Sequence, residues 1–317
     1  MILSAGMRTD IPAFYAKWFM NRVRDGYVYV RNPYYRNKVT KYIISPSVID
    51  LLCFGTKNPH PMLEYLDELK QNYKMLWYIT ITPYGKDIEP NVMDKKQVIE
   101  DVKIISQKLG YQSIMIRYDP ICMNEKFDVN KHIYAFEKLA KMLKGYVHDI
   151  TISFLDLYEK VKKNAPDLRP PTKEEGIELA KAFSRIGQEN DIVVHGCYED
   201  KDLANYGLDM TGCMNKVLVE RACGYKLNPP KSSNMREACN CLMGHDIGDY
   251  NSCMHLCKYC YANYSKKAVL ENIKNHNPNS PILIGNIMED DIISLAKQQS
   301  WKVSTYEQIS LFGKNNN

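Results

Sequence analysis

Three cysteines near the end of the chain, in the run Cys253-Met-His-Leu-Cys257-Lys-Tyr-Cys260, have the spacing that points most directly to chemistry. Gaps of three residues and then two let one tight loop turn three thiolates onto a single centre. Thiolates are soft ligands, suited to iron–sulfur clusters or to zinc. A cubane [4Fe–4S] cluster on three cysteines leaves one iron open to a substrate or cofactor. A closed zinc site needs a fourth donor, which His245 or His255 could supply. The spacing favours the cluster.

The other cysteines crowd the same part of the chain. The opening MILSAGMRTDIP has a short apolar stretch with no basic region before it, which does not read as a signal peptide. Ten cysteines in such a chain read as metal ligands or redox groups before disulfides. Cys239-Asn240-Cys241 is a close pair that, with Cys197 and Cys213, could complete a second four-thiolate site, either an auxiliary iron–sulfur cluster or zinc. The alternative is that these thiols are merely neighbours in a cysteine-rich loop. Cys53 and Cys122 stand alone and read as small buried hydrophobes, and Cys223 reads as core.

The elements that must position these residues follow a βα pattern. Strands are expected at Ile2–Ala5, Val48–Phe54, Met75–Thr82, Ser113–Arg117, His148–Phe154 and Asp191–His195. Helices are expected at Ile11–Arg24, Met62–Gln71, Asp94–Leu109 (stopped by Gly110), Lys131–Leu143, Leu155–Lys163 and Lys173–Glu189. A hairpin flap, Tyr27–Arg31 with Val39–Ile44, interrupts the alternation. The fold class is α/β: a partial (β/α)6 TIM-like barrel with a C-terminal cysteine-rich metal-binding extension, with an open doubly wound sheet as the alternative. Residues 1–195 form the barrel, and 196–285 the cysteine-rich region folding back on it. Residues 286–317 form a tail whose closing GKNNN reads as disordered. A short helix at Tyr264–Asn275 and an apolar run at Ile282–Ile284 end the folded part.

In α/β barrels, chemistry gathers at the C-terminal ends of the strands. Past each expected strand stand Arg8, Thr9 and Asp10; Lys57 and Asn58; Thr80 and Thr82; Arg117 and Asp119; Ser153 and Asp156; and His195. Each also has an ordinary reading. Asp10 can be a helix cap, Arg117 with Asp119 an ion pair, Lys57 a solvated cation and His195 a satisfied core histidine.

The Cys253–Cys260 spacing, with an aromatic residue just before the third cysteine, resembles the cluster motif of radical S-adenosylmethionine enzymes. Tyr261-Ala262-Asn263 resembles the form of the spore-photoproduct-lyase-like branch, although in those enzymes the motif follows the first strand and here it follows the sixth. The whole chain resembles an uncharacterised bacterial family, domain of unknown function 1848, whose C-terminal cysteines have been likened to that cluster. The matching stretches are Ser4 to Trp18, Thr56 to Pro59, Ile88-Glu89-Pro90, Arg117 to Ile121, and Arg236 to Asn263. The resemblance implies a [4Fe–4S] cluster on Cys253, Cys257 and Cys260, S-adenosylmethionine, and a reducing partner such as a flavodoxin or ferredoxin. The cluster would reduce S-adenosylmethionine to methionine and a 5′-deoxyadenosyl radical, which takes a hydrogen atom from the substrate. It also implies that Arg117 pairs the methionine carboxylate, that Thr80, Thr82 or Ser153 bond the ribose and amino groups, and that Tyr259 presents its backbone to the adenine. Arg8, Asp10, Lys57 and Asp119 would face the substrate, and His195 would be a general acid or would orient a neighbour.

Several function classes are excluded or set low. There is no G-x-G-x-x-G, no GxSxG elbow and no HExxH helix, so dinucleotide-dependent and hydrolase readings start low. No apolar run of about 18 residues appears, which argues against a membrane span and for a cytoplasmic location. The net charge of +5 permits a nucleic-acid substrate without demanding one. Two rival readings stand beside the radical enzyme: an iron–sulfur electron carrier or sensor that does not use S-adenosylmethionine, and a zinc-stabilised nucleic-acid-binding protein.

Overall fold

The run Met75-Leu-Trp-Tyr-Ile-Thr80 is apolar on both faces, and it lies in the middle of a parallel sheet covered on both sides. The computed structural model describes residues 1–197, 199–230, 241–242 and 244–303. In chain order its elements are β1 (Ile2–Ala5), α1 (Ile11–Phe14), α2 (Ala16–Asp25), β2 (Tyr27–Arg31), β3 (Lys38–Ile43), β4 (Leu51–Thr56), α3 (Leu66–Asn72) and β5 (Met75–Thr80). There follow α4 (Lys95–Leu109), β6 (Ile114–Ile121), α5 (Val129–Leu143), β7 (Asp149–Phe154), α6 (Glu159–Asn164), α7 (Lys173–Glu189) and β8 (Val193–Gly196). The remainder is α8 (Lys216–Cys223), β9 (His245–Asp246), α9 (Lys266–Lys274) and β10 (Ile292–Leu295).

The six strands expected from the sequence are β1, β4, β5, β6, β7 and β8. They lie side by side in that order, all parallel, with β9 added on the free side of β1. The order runs one way along the sheet, without the reversal that marks a doubly wound fold. The sheet is also open: among the described residues β8 and β9 occupy opposite edges and do not pair. What stands is an α/β fold on a seven-stranded parallel sheet, not a closed cylinder.

Alternate strand residues supply two cores, as the period of two in a strand requires. Leu3, Phe54, Trp77, Ile116 and Ile152 pack with Trp18 and Phe19 of α2, Val102 and Ile105 of α4, Phe136 of α5 and Phe183 of α7. On the opposite face Ile2, Leu51, Cys53, Leu76, Tyr78 and Met115 meet Leu218, Val219, Ala222 and Cys223 of α8. Asn215 caps α8 by accepting the Leu218 amide at 3.0 Å, and Gly224 ends it at φ 78°. This helix lies inside the stretch assigned from sequence to the cysteine-rich region, where two turns carry little periodic signal, and it makes Cys223 the core residue expected.

Elsewhere the local rules hold. Asp94 caps α4, and Thr172 with Glu175 forms a capping box on α7. The single helix expected over Ile11–Arg24 divides at Tyr15, whose φ of −133° breaks the helical path between α1 and α2. The flap is an antiparallel β2–β3 pair as expected. β10 adds to it in parallel with β3, so regular structure continues past Ile284. The final GKNNN lies outside the described residues. Among the described residues no helix is long and apolar enough to cross a membrane.

One close approach joins β1 to β4. A Cβ on Gly6 would stand 2.1 Å from the Gly55 carbonyl oxygen, and a Cβ on Gly55 2.9 Å from that of Gly6. Only glycine fits where two backbones come this near. Gly6→Ala is expected to lower stability by about 1–3 kcal/mol, the usual cost of overpacking. Urea unfolding tests this, and an unchanged midpoint would show that the two strand ends can separate freely.

Candidate functional site

The cysteine loop returns from the far end of the chain to the strand ends of the first third. Arg8, just past β1, donates from Nε to Asp246 Oδ2 at 2.6 Å and from its terminal nitrogen to the Asp246 carbonyl at 2.8 Å. Thr9 Oγ1 donates to the Asp249 carbonyl at 2.7 Å, and the Tyr15 hydroxyl to the Ser252 carbonyl at 2.6 Å. From the segment after β5, Asn91 Nδ2 donates to the Met254 carbonyl at 2.7 Å, while the Lys258 amide donates to the Ile88 carbonyl at 3.0 Å. Within the loop the Cys260 amide bonds the Cys257 carbonyl at 3.1 Å, and Asn263 Nδ2 bonds the Cys253 carbonyl at 2.8 Å. Leu256 sits at φ 56°, a left-handed conformation that costs a branched residue about 1–2 kcal/mol. The docking bonds offset that cost and set the shape of the loop.

Beneath the loop lies a buried carboxylate. Glu89 accepts from Lys57 Nζ at 2.8 Å and from Thr82 Oγ1 at 2.6 Å, and also from Lys95 Nζ and the Tyr259 hydroxyl. Burial alone would raise its pKa, but the charges and hydrogen bonds of Lys57 and Lys95 outweigh burial and hold it at about 2. The Lys57 ammonium also lies 5.6 Å from the centre of the Tyr259 ring. Asp10 is a second junction. One oxygen caps α1 by accepting the Ala13 amide at 3.1 Å. The other accepts the Lys57 amide and His255 Nε2, both at 2.7 Å. Asp10 is thus both the helix cap and a tie to the loop.

The thiols follow from this frame. Cys260 is an electrostatic neighbour of both Cys253 and Cys257, and Cys257 also lies beside Lys57 and Glu89. Burial pushes the Cys257 thiol up to about 12 and holds Cys253 well above the ordinary thiol range. Such thiols ionise when a metal takes the place of their protons. No disulfide joins the three. Among the described residues no group of three or more His, Cys, Asp or Glu side chains is placed to hold a metal ion.

The run from β1 through this loop has a counterpart in a known family. A family model described as a domain of unknown function (DUF1848) matches residues 2–262. The chain belongs to that family. The DUF1848 match takes in the strand ends that hold the loop and all three of its cysteines, and stops before α9 and β10. No curated protein matches the chain.

The other residues singled out in this DUF1848 chain divide into separate groups. Cys197, Cys213 and Cys241 meet, with sulfur separations of 3.3 Å and 3.6 Å, while Cys239 lies outside the described residues. Arg117 donates to Asp119 and lies beside Cys197 and Cys213; among the described residues its buried Nε has no hydrogen-bond partner. Thr80 is in register with Arg117 at the end of β5. Thr82 is committed to Glu89, and the Ser153 hydroxyl to the Phe154 carbonyl at 3.4 Å. His195 belongs elsewhere. Its Nε2 lies 2.8 Å from Asp149 Oδ1, which anchors it in a cavity of about 500 Å³ lined by His148, Asp209 and Arg221.

Sequence reasoning did not single out Glu89 as a site residue, nor Lys95, Asp246 and Glu199. The signal for Glu89 was present, since it lies in the Ile88-Glu89-Pro90 stretch just past β5. Glu199 accepts the Phe154 amide at 2.7 Å, and burial with nearby Asp119 and Asp156 lifts its carboxyl to about 7. A group titrating there can exchange protons near neutral pH.

Glu89→Gln leaves two lysines in the buried site without their counter-charge, and a loss of about 3–5 kcal/mol is expected. The pH dependence has a definite sign. The pKa of Glu89 is depressed on folding from 4.5, so its stabilisation is complete above that value and is lost as pH falls toward 2. Thermal unfolding between pH 2 and 7 should therefore show a shallower acid limb in Glu89→Gln than in the natural chain. Parallel curves would deny Glu89 this role.

Proposed function

We propose that this chain is a radical-type iron–sulfur enzyme that binds a [4Fe–4S] cluster on Cys253, Cys257 and Cys260, with S-adenosylmethionine beside it. The observation that carries this reading is the docking of a three-thiol loop over the C-terminal ends of β1, β4 and β5 through Asp10, Lys57 and Glu89. In this reading the open sheet is a partial (β/α)6 barrel over residues 1–195, and residues 196–285 form the extension across its mouth.

The donor set fits a cluster. It is three soft sulfurs on one loop, with no disulfide between them and with Lys57 and Lys160 close enough to offset thiolate charge. When bound, the cluster and S-adenosylmethionine supply a 5′-deoxyadenosyl radical that takes a hydrogen atom from the substrate. The chain's own residues position and enclose. Lys57 sets the charge beside Cys257, and Tyr259 is fixed through Glu89. Arg117, whose buried Nε has no partner among the described residues, offers a donor to an anionic group of the ligand. A flavodoxin or ferredoxin would deliver the electron.

Anaerobic reconstitution with iron and sulfide, followed by electron paramagnetic resonance after dithionite reduction, tests the proposal. About four irons per chain on the loop are expected, with a signal that shifts on adding S-adenosylmethionine and is lost in Cys257→Ala. A cluster signal indifferent to S-adenosylmethionine would return the electron-carrier reading. Zinc at the loop in place of iron would return the zinc-stabilised binding protein.

A further inference from the structure

A second set of thiols converges on the inner face of the sheet from three separate segments. Cys197 continues β8, its amide donating to the Ile152 carbonyl at 3.0 Å. Cys213 is held by the Tyr78 hydroxyl of β5, which donates to its carbonyl at 2.8 Å. Cys241 is held through its neighbour Leu242, whose amide donates to the Met214 carbonyl at 2.8 Å; the Met214 amide in turn points at Cys241 Sγ at 3.4 Å. Cys213 touches both other sulfurs, at 3.3 Å from Cys197 and 3.6 Å from Cys241.

We propose that Cys197, Cys213 and Cys241 hold a single zinc-class divalent ion, separate from the centre on the Cys253–Cys260 loop. A zinc–sulfur bond of about 2.3 Å places the sulfurs of a tetrahedral site about 3.8 Å apart. Both observed separations lie close to that edge. As they stand the three are not placed to hold an ion, so binding requires the thiol side chains to turn about Cys213 while the backbone, already hydrogen-bonded, stays in place. Each thiol releases its proton to solvent as it ligates, and a water completes the tetrahedron. The thiolate charge is met by Arg117, whose guanidinium lies beside Cys197 and Cys213.

Two simpler readings explain less. Cysteines used only as small core residues need no contact with one another, as Cys122 shows by packing with Tyr84, Ile88 and Leu155. A disulfide between Cys197 and Cys213 would have to close a 3.3 Å gap to about 2.05 Å and would not account for the contact of Cys213 with Cys241.

The test uses the full chain carrying Cys253→Ala, Cys257→Ala and Cys260→Ala together, so that the loop centre is removed and its failure cannot be mistaken for failure here. Purified anaerobically and dialysed against zinc, this variant is expected to retain about one zinc per chain. Adding Cys213→Ser should abolish retention, and adding Cys53→Ser, at a thiol outside both groups, should leave it unchanged. Cobalt in place of zinc should give thiolate-to-metal charge-transfer absorption that disappears with Cys213→Ser. If Cys213→Ser does not fold, alkylation of the natural chain decides. Cys197, Cys213 and Cys241 should be protected when zinc is bound and react after chelation. Zinc-independent alkylation, no retained metal in the triple variant, or iron with sulfide in place of zinc would each overturn the proposal.

Discussion

Glu89 is buried at the end of β5 with Lys57 and Lys95 on its two oxygens. Charges brought together away from water are tolerable only while each stays paired, because any one left alone bears the full cost of desolvation. Two further donors join Lys57 on the same oxygen. Thr82 comes from the same strand end and Tyr259 from the cysteine loop. The position of Tyr259, two residues after Cys257 and one before Cys260, is therefore tied to the sheet through a carboxylate that cannot shift without exposing two lysines.

Asp10 works in parallel from the other side. Its carboxylate serves a helix cap, the Lys57 amide and His255, so α1, the end of β4 and the cysteine loop share one acceptor. The two carboxylates grip the loop on either side of Cys257, through His255 and Tyr259. Between them the thiols are held where burial disfavours their ionised form. Among the described residues these thiols are not yet grouped to hold an ion, so binding one would still require them to draw together.

The sequence made the sheet legible because its strands are short apolar runs between capped helices. Asp94, Thr172 and Gly110 mark helix ends by local chemistry that needs no tertiary context. Asp10, Lys57 and Thr82 at the strand ends and Tyr259 in the cysteine loop were legible by type and position, but Glu89, the partner that Lys57, Thr82 and Tyr259 share, and the contacts that join them were not. Lys95 and Asp246 were not legible either. Their roles arise from contacts between segments up to about 240 residues apart, as for Arg8 with Asp246. The same holds for β9, whose two residues have no strand signature and pair only because Arg8 and the loop bring them to β1. His195 stood at a strand end in the sequence, yet Asp149 draws it into a different cavity.

The cysteine loop comes late in the chain and most of its anchors early. Arg8, Asp10 and Lys57 are made long before Cys253, and a ribosome extends the chain by only about 5–20 residues each second. The strands from β1 to β8 can thus be in place, with Glu89 paired to its lysines, while β9 and the thiols are still being synthesised. The loop therefore closes onto a prepared surface, and its bonds to Arg8, Asp10 and Glu89 form only after those anchors have been made.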